Sequence, residues 1–434
     1  MTISIDQIKT EVQNAPSLYG RPIAVLHQAV TPPSLNGAVK PSNPFGYRDS
    51  SADIANALAQ AGCDVLTPAQ SPRPDVDADW TYPDTFEGVA AAISDGAEIL
   101  WANTSLFDEH PMAEFASQNG LYVVGQPLDI VEKFEDKDVC QAAIEAIGVP
   151  VPVQALVNVE IGPAKGQIQK AVSQNGLTFP VIVKPVRGRG SAGVKVVDSV
   201  EAAAEHIESH VGPKFGSKFL IEEYLAGREL AVTVMPPGTY ETADGVRNEA
   251  THWTLPAIER TGHHGGVMPF SGVVPIQSNS KPAGDDDQLR EFGKHAVKVA
   301  QFLNATAPIR IDCREGADGV IKAIDINMKP SMTGPGRPGR EQMINLSAMS
   351  AGEIGWSYTE MLAAIAGNAA PIQEIAASAL RGQSRGPTAC SPPVAASWAS
   401  GPRPSPRWPR RRCRRATASS TSAWAGRRSS RWGS

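Results

Sequence analysis

Two runs in the second half of the chain alternate apolar and polar residues with the period of a β-strand. They are residues 309–313 (IRIDC) and 321–327 (IKAIDIN), and the turn between them contains Gly319. Because alternate side chains of a strand share a face, Arg310 and Asp312 point to the same side of the first run. The spacing and the Asp-Gly turn predict a β-hairpin.

The second run of the hairpin has its own polar face. Asp325 and Asn327 are expected to share that face with Ala323, while Ile324 and Ile326 point to the other side. If the strands pair, one face of the hairpin collects four polar side chains: Arg310, Asp312, Asp325 and Asn327.

This grouping needs a positive partner. Two carboxylates about 4 Å apart repel by roughly 4 kcal/mol at an effective dielectric constant near 20. Oxygen ligands without His or Cys suit Mg²⁺ (or Mn²⁺), which completes its coordination with water and substrate phosphates. A solvated polar face on an amphipathic hairpin is the alternative. The hairpin residues alone leave both interpretations open.

Strand and helix patterns alternate over the first 126 residues. The predicted strands are 21–26, 63–66, 98–102 and 121–125, and the predicted helices are 52–61, 85–94 and a further helix before residue 121. This alternation is typical of an open parallel sheet, so we predict an N-terminal α/β domain over residues 1–126.

A glycine-rich loop follows in the middle of the chain. A helix over residues 132–148 ends at Gly148, and a strand over 179–185 leads into the loop 187–193 (RGRGSAG) and a second strand, 194–197. A loop between two strands is neither a dinucleotide-binding turn nor a Walker A loop. Its glycines still allow backbone N–H groups to approach phosphate oxygens, although such loops are also ordinary turns.

The remaining elements complete a two-lobed region, with predicted lobes at 127–215 and 216–370. The run 219–230 (FLIEEYLAGREL) leads into a strand at 231–235, a helix covers 287–303, and a closing helix covers 357–366. Residues 237–278 are predicted to be irregular. They contain Arg260, His263 and His264, which are weak candidates for a substrate or lid role.

Composition narrows the class of protein. With 434 residues and 41% hydrophobic content, the chain can form two or three domains with real cores. It contains no apolar run of about 18 residues, and its start lacks a signal-peptide pattern, so a soluble cytoplasmic protein without a membrane partner is expected. The five cysteines have no CxxC spacing, which indicates reduced thiols and no zinc site.

The charge is divided unevenly. Residues 381–434 contain twelve Arg and no Lys, Asp or Glu, so with a net charge of −5 for the whole chain, residues 1–380 carry −17. We predict a disordered basic tail over 371–434, and deletion after Gly367 is expected to leave fold and activity intact. Its composition is explained best by out-of-frame translation of a GC-rich stretch, and an arm that binds nucleic acid is the alternative.

Five blocks in order resemble the ATP-grasp superfamily, and within it the D-alanine–D-alanine ligase branch of carboxylate–amine ligases. The blocks are DKDVCQAAIEAIGVPVP, FPVIVKPVRGRGSAGV, FLIEEYLAGREL, IRID and IDINMKPSMTG, and the resemblance covers residues 20–370. It implies an N-terminal α/β domain followed by a two-lobed ATP-grasp domain of the α+β class.

The resemblance also implies roles for individual residues. Lys137 and Lys184 would contact ATP phosphates, and the loop residues Gly188, Gly190, Ser191 and Gly193 would close over them. Glu222, Glu223, Tyr224 and Leu225 correspond to the adenine-binding hinge, and Glu229 to the ribose-binding carboxylate. Asp312, Asp325 and Asn327 correspond to the Mg²⁺ ligands, with Asp325 in place of the usual glutamate. Arg310 corresponds to the catalytic arginine that stabilises the acyl phosphate, and Lys184 shares the catalytic role.

The implied reaction joins a small-molecule carboxylate to an amine, with ATP and Mg²⁺, through an acyl phosphate. A homodimer is plausible by the same resemblance, and no nucleic-acid partner is expected. The family's Gly-Gly-Ser loop with its substrate-binding glutamate is absent from residues 26–33 (LHQAVTPP), so we expect a substrate other than D-alanine. A biotin-carboxylase-like reaction and a catalytically inactive ATP-binding scaffold are the alternatives.

Overall fold

The computed structural model describes residues 18–34, 47–188, 190–269 and 275–384. Three sheets of four or more strands organise this part of the chain, together with a separate two-stranded hairpin. The mixed α/β class predicted from the sequence is confirmed. No helix within the described ranges has the length and apolar character needed to cross a membrane.

The N-terminal sheet has the strand order β18-β5-β4-β1-β2, with β3 also paired to β1. Its strands are β1 (Ile23–His27), β2 (Val65–Leu66), β3 (Tyr82–Pro83), β4 (Ile99–Asn103), β5 (Tyr122–Val124) and β18 (Ala370–Pro371). All pairs among β1 to β5 are parallel, as the alternation of strands and helices predicts, and only β18 is antiparallel to its neighbour. Both faces of β1 and β4 are buried.

A smaller sheet has the order β6-β9-β7-β8. Its strands are β6 (Gln154–Asn158), β7 (Val181–Pro185), β8 (Lys195–Val197) and β9 (Lys218–Glu223). The antiparallel pair β7 and β8 flanks the glycine-rich loop, as predicted. Strand β9 pairs with β6 and β7, so residues 218–223 of the predicted lobe 216–370 belong to the smaller sheet.

The largest sheet has the order β15-β14-β10-β16-β17, and β13 pairs with β10. The bounds are β10 (Glu229–Met235), β13 (Trp253–Thr254), β14 (Ile258–Arg260), β15 (Ser280–Pro282), β16 (Ile309–Glu315) and β17 (Ile321–Asn327). The predicted hairpin is therefore the antiparallel pair β16 and β17 at the edge of this sheet. Its apolar face, including Ile309, Ile311 and Cys313, is fully buried.

Helices cover the sheets. Their bounds are Arg48–Gln60, Phe86–Ser94, Leu128–Phe134, Lys137–Ala146, Ala164–Asn175, Val200–His210, Asp287–Phe302, Leu346–Gly352, Tyr358–Ala366, Ile372–Ile375 and Ala377–Ser384. In place of the helix predicted before residue 121, the structure has a five-residue 3₁₀ helix, Pro111–Phe115, which His110 caps. Short 3₁₀ helices are common as connectors between longer elements.

The helix predicted over residues 132–148 is two helices. The first ends at Phe134 and the second begins at Lys137. The break lies at Asp136, whose backbone is extended and whose buried carboxylate pairs with Arg187 from the loop after β7. The break places Lys137 in the first turn of the second helix.

The predicted irregular stretch 237–278 contains regular structure. Strands β11 (Gly238–Thr242) and β12 (Gly245–Glu249) form a hairpin, and β13 and β14 follow. The two turn residues are Ala243 and Asp244, and Gly245 begins β12 with a φ of +126°, a conformation that glycine adopts readily. Residues 270–274 of this stretch lie outside the described residues.

The predicted disordered tail begins too early. Residues 370–384 form β18, which pairs with β5, and two helices. Ile372 and Ile375 are fully buried in the core that the N-terminal and largest sheets share. Residues 385–434, the rest of the predicted tail, lie outside the described residues.

Two truncated proteins test whether residues 370–384 contribute to the stability of the fold. Deletion after Gly367 removes the buried side chains of Ile372 and Ile375, so we expect a loss of about 3–6 kcal/mol in the free energy of unfolding. Deletion after Ser384 keeps them, and we expect an unchanged urea midpoint. Equal urea midpoints for the two truncated proteins would contradict the packing role of residues 370–384.

One buried ion-pair cluster ties the segment after β17 to the N-terminal domain. Asp53, which is fully buried on the first helix, accepts hydrogen bonds from Arg337 Nε at 2.8 Å, Arg340 Nε at 2.8 Å and Thr333 Oγ1 at 2.8 Å. Arg337 also donates to Asp77 at 2.7 Å. These charge-assisted bonds hold the segment 328–345 against the N-terminal domain.

Candidate active site

A cleft separates the small sheet from the largest sheet, and most of the predicted site residues line it. The lining includes Lys137, Lys184, Gly188, Gly190, Ser191, Glu222, Glu223, Leu225, Glu229, Arg260, Arg310, Asp312, Arg314, Ile324, Asp325, Asn327 and Ser331. Two predicted residues, Gly193 and Tyr224, are close to the cleft without lining it.

The hairpin forms the floor of the cleft. Arg310 pairs with Asn327, and Asp312 lies directly opposite Asp325, so the four polar groups share a face as the alternation predicts. A β-bulge follows Asp312, because Cys313 pairs with Ala323 and not with Ile324. The extra residue shifts the alternation.

Because of the bulge, two residues of β17 lie on the faces opposite to those predicted. Ala323 is buried in the core beside Cys313, and Ile324 lines the cleft, the reverse of the expected arrangement. The carbonyl oxygen of Ile324 accepts hydrogen bonds from Lys184 Nζ at 2.9 Å and from Gln141 Nε2 at 2.9 Å. The bulge thus gives the cleft an additional backbone acceptor.

Lys137 and Asp325 form an ion pair at 2.7 Å. Burial alone would lower the pKa of Lys137, but the charge of Asp325 and their hydrogen bond outweigh burial and raise this pKa above its ordinary value. Burial would raise the pKa of Asp325, and the positive charges of Lys137, Lys184 and Arg310 lower it instead. Both groups are therefore charged at neutral pH.

Lys184 comes from the end of β7 and is nearly inaccessible to solvent. Its Nζ lies 2.7 Å from Glu222 Oε1, and both side chains are buried. The predicted hinge residue Glu222 thus lies in the cleft beside the second predicted phosphate-binding lysine.

Asp312 is held from two sides. Arg310 donates to it through Nε at 2.7 Å and through Nη2 at 2.8 Å, and Asn327 Nδ2 donates to it at 3.0 Å. Asp312, Asp325 and the Asn327 amide together present only oxygen ligands, without His or Cys, which is the donor chemistry that Mg²⁺ and Mn²⁺ prefer. The residues present therefore fit such an ion.

The glycine-rich loop has an unusual backbone conformation. Gly190 and Ser191 have φ angles of +60° and +63°, so two consecutive residues are left-handed. Successive backbone N–H groups in turns of this kind can form an anion-binding concavity. Gly193 lies behind the loop, where its carbonyl oxygen is 2.9 Å from His206 Nε2.

Three other predicted hinge and ribose residues, Glu223, Tyr224 and Glu229, each contact a side chain from another element. Glu223 Oε2 accepts from Lys322 at 2.8 Å, and the ring of Tyr224 stacks under the guanidinium of Arg314 at 5.2 Å. Glu229, at the start of β10, is 2.8 Å from His263 Nε2. His264 forms backbone hydrogen bonds with Val267.

Among the polar side chains that line the cleft, Arg314 and Ser331 were not predicted from the sequence. Arg314 lies on the same face as Arg310 and Asp312, so its period-2 spacing could have identified it; it donates to the carbonyl oxygen of Gly266 at 2.9 Å. Ser331 lines the cleft because the cluster around Asp53 holds its segment, and no local pattern indicates that contact. Burial lowers the pKa of Arg260, the weak candidate from the stretch 237–278.

Comparison with protein families identifies the chain's class. The family model described as the D-ala D-ala ligase C-terminus matches residues 143–366, more than half of the chain. The chain therefore belongs to this family.

Solved structures with the same fold are distant in sequence. D-alanine–D-alanine ligase from Bacillus anthracis, complexed with ATP, aligns with a TM-score of 0.53 at 14% identity, over 84% of this chain and 99% of that chain. The VanG D-Ala:D-Ser ligase from Enterococcus faecalis aligns at 0.51 and 15%, over 80% and 99%. Biotin carboxylase from Campylobacter jejuni aligns at 0.53 and 13%, over 82% and 73%. At these identities the alignments establish the ATP-grasp fold.

The family and the fold together define an ATP-dependent carboxylate–amine ligase of the ATP-grasp type, which forms a C–N bond. The predicted superfamily is confirmed.

Proposed function

We propose that the chain activates a small carboxylic acid as an acyl phosphate, with ATP and Mg²⁺, and transfers the acyl group to an amine. The observation that carries this proposal is the opposed pair Asp312 and Asp325, with Arg310, Lys137 and Lys184 around it in one cleft. The described lining offers positive charge and metal ligands, and it contains no pair of nucleophile and base. This favours phosphoryl transfer by positioning and electrostatics.

ATP would lie along the cleft from the hinge to the hairpin. The backbone N–H of Glu223 already donates to the Val153 carbonyl oxygen. Adenine would therefore contact the backbone of Tyr224 and Leu225. Glu229 would accept from the ribose hydroxyls once His263 moves aside. The triphosphate would meet the loop from Gly188 to Gly193.

The ion pairs of the cleft would rearrange when the substrates bind. Asp312, Asp325 and Asn327 would hold Mg²⁺, which when bound supplies positive charge to the phosphate oxygens. Lys137 would then leave Asp325 for a phosphate oxygen, and Lys184 would keep its Ile324 contact while it faces the phosphates. Arg310 would be released from Asp312 toward the reacting group.

The reaction has two steps. A carboxylate oxygen of the acid attacks the γ-phosphorus, and the bond from that phosphorus to the β-γ bridging oxygen breaks, which releases ADP. The amine nitrogen then attacks the acyl carbon and loses a proton, and the bond to the phosphate oxygen breaks, which releases phosphate. Arg310 would stabilise the negative charge that develops in both steps.

The substrate is proposed to differ from D-alanine. Residues 26–33, which comprise the end of β1 and the loop after it at the carboxyl edge of the N-terminal sheet, contain no acidic residue to bind a substrate amine. The carboxylate of Asp84 fixes this loop, because it accepts hydrogen bonds from the backbone N–H groups of Ala29 at 2.6 Å and Val30 at 2.8 Å. The polar side chains of this stretch are His27, Gln28 and Thr31. His27 Nδ1 lies 2.9 Å from Thr81 Oγ1, and Gln28 Nε2 donates to the Val30 carbonyl oxygen at 3.3 Å.

Release of ADP tests this function against an inactive scaffold. The purified protein is incubated with MgATP and pairs drawn from L- and D-amino acids and small di- and tricarboxylic acids. We expect at least one acid–amine pair to stimulate ADP release. Tight MgATP binding without stimulated ADP release would support the scaffold, and bicarbonate-dependent ADP release would support a biotin-carboxylase-like reaction.

A further inference from the structure

Gln141 lies on the helix Lys137–Ala146, one turn after Lys137. Residues four apart on a helix share a face, and here that face meets two consecutive residues of β17. Lys137 Nζ contacts the Asp325 carboxylate at 2.7 Å, and Gln141 Nε2 donates to the carbonyl oxygen of Ile324 at 2.9 Å. The helix is therefore bonded to a proposed metal ligand and to the residue before it.

Ile324 is the extra residue of the β-bulge. The described register between β16 and β17 skips it, so it has no counterpart among the described pairs. The backbone groups of such a residue are left out of the regular ladder. Its carbonyl oxygen accepts hydrogen bonds from Gln141 Nε2 and from Lys184 Nζ, both at 2.9 Å. Side chains from two other elements therefore fix the carbonyl group at the bulge.

The direction of the Ile324 carbonyl group affects Asp325 directly. The carbonyl group of Ile324 lies in one plane with the backbone nitrogen and Cα of Asp325, because the peptide bond is planar. A hydrogen bond to this oxygen therefore limits rotation of the peptide unit from which the Asp325 side chain projects. The same oxygen holds the ammonium group of Lys184, which lines the cleft.

The other half of the Gln141 amide is unsatisfied. Gln141 is 2% exposed, and among the described residues its Oε1 has no hydrogen-bond partner. A buried amide oxygen without a donor is unfavourable, and an apolar side chain of similar length would avoid this cost. Packing alone therefore does not account for a glutamine at this position, whereas the hydrogen bond that Nε2 donates to Ile324 does.

We propose that Gln141 is a positioning residue for the proposed metal site. By holding the Ile324 carbonyl group, it fixes the direction of the Asp325 carboxylate and supports the contact of Lys184 with the same oxygen. This inference rests on the proposed function. In that function Lys137 leaves Asp325 for a phosphate oxygen. The bond from Gln141 can stay intact, because its amide is neutral and is not part of the described cleft lining. It keeps the helix attached to β17 while the charged groups exchange partners.

The experiment compares wild type with Gln141→Met and Gln141→Leu, with Gln174→Met as the control. The two replacements of Gln141 fill the site without an N–H donor. Gln174 is an exposed glutamine on the helix Ala164–Asn175 and is not part of the described cleft lining. Isothermal titration with AMP-PNP, which is not hydrolysed at its β-γ bridge, is carried out once with Mg²⁺ and once with EDTA, so that the contribution of the metal is measured by itself. Urea unfolding reports stability, and ADP release reports turnover.

We expect both variants of Gln141 to lower the affinity for AMP-PNP in Mg²⁺ about 10- to 100-fold, the usual effect of removing a group that orients a metal ligand. Affinity in EDTA should change much less, because the hinge does not depend on the bulge. With an active pair of substrates, kcat should fall by a similar factor while the KM of the acid stays constant. The urea midpoint should stay close to that of wild type, since Lys184 still donates to the Ile324 carbonyl oxygen and the unpaired Oε1 is gone. Gln174→Met should change none of these quantities.

Three results would overturn the inference. If Mg²⁺ strengthens AMP-PNP binding as much in both variants as in wild type, Gln141 does not position the metal site, and the proposed function is unaffected. Equal losses of affinity in Mg²⁺ and in EDTA, or failure of both variants to fold, would assign Gln141 to packing alone. A wild type whose AMP-PNP affinity is the same in Mg²⁺ and in EDTA would refute the metal site of the proposed function and the role of Gln141 with it.

Discussion

The substitution Asp325→Ala is expected to reduce turnover by about 100- to 1,000-fold, the range found when one preorganised electrostatic contact to a transition state is lost. ATP affinity should fall less than tenfold, because Lys184 and the loop from Gly188 to Gly193 remain. Asp325 lies opposite Asp312 and is also the partner of Lys137. Initial rates of ADP release and titration with AMP-PNP separate the two effects.

Two further variants control for side effects of Asp325→Ala. Asp318→Ala removes a more exposed carboxylate from the turn of the same hairpin and should change neither rate nor affinity. Asp325→Glu restores the carboxylate with one more methylene and should recover part of the rate. Full turnover in Asp325→Ala would exclude the metal role of this residue.

The substitution Lys184→Gln should mainly weaken ATP binding. A charge-assisted hydrogen bond is worth about 1.5–3 kcal/mol, so we expect a loss of roughly 10- to 150-fold in AMP-PNP affinity. The variant should also be less stable by about 3–5 kcal/mol, because Glu222 would keep a buried charge without its partner. Calorimetric titration and urea unfolding measure the two quantities.

A double variant separates these two roles of Lys184. Lys184→Gln with Glu222→Gln removes the unpaired charge, so stability should recover while nucleotide affinity stays low. Lys195→Gln, an exposed lysine on β8, is the control and should change neither quantity. Wild-type affinity in Lys184→Gln would show that this lysine does not contact the nucleotide.

Local patterns predicted much of the fold. Period-2 alternation located β16 and β17 and put Arg310 opposite Asn327 and Asp312 opposite Asp325. The alternation could not predict the bulge after Asp312, because a bulge depends on how two strands pair and is not visible in the sequence of either strand alone. The exchange of Ala323 and Ile324 between the two faces follows from that bulge.

The incorrect predictions of the helix over residues 132–148 and of the start of the tail have similar physical causes. The helix pattern runs through Asp136, and the break there is associated with a pair to Arg187, fifty-one residues away. Residues 371–384 fall in the predicted basic tail because composition changes nearby, yet Ile372 packs against the N-terminal domain. These contacts are long-range, so no window along the chain contains both partners.

Contacts between residues distant in sequence also limited the prediction of the site. Lys137, Lys184 and the hairpin residues come together as the order of the blocks implies. Arg260 was only a weak candidate, because the register of β14 beside β10 was not predictable from an irregular stretch. Ser331 belongs to the segment held by the cluster of Asp53, Arg337 and Arg340, in which Asp53 is more than 280 residues from both arginines in sequence.

Trapping with hydroxylamine tests the central claim most directly. Hydroxylamine replaces the amine and converts an acyl phosphate to a hydroxamate, so the second substrate need not be known. With MgATP and a panel of amino acids and di- and tricarboxylic acids, we predict that at least one acid yields hydroxamate and ADP in equal amounts. Asp325→Ala should lower the rates of both by the same factor of about 100 to 1,000. ADP release without hydroxamate, or tight nucleotide binding with neither product for every acid, would contradict an acyl-phosphate ligase.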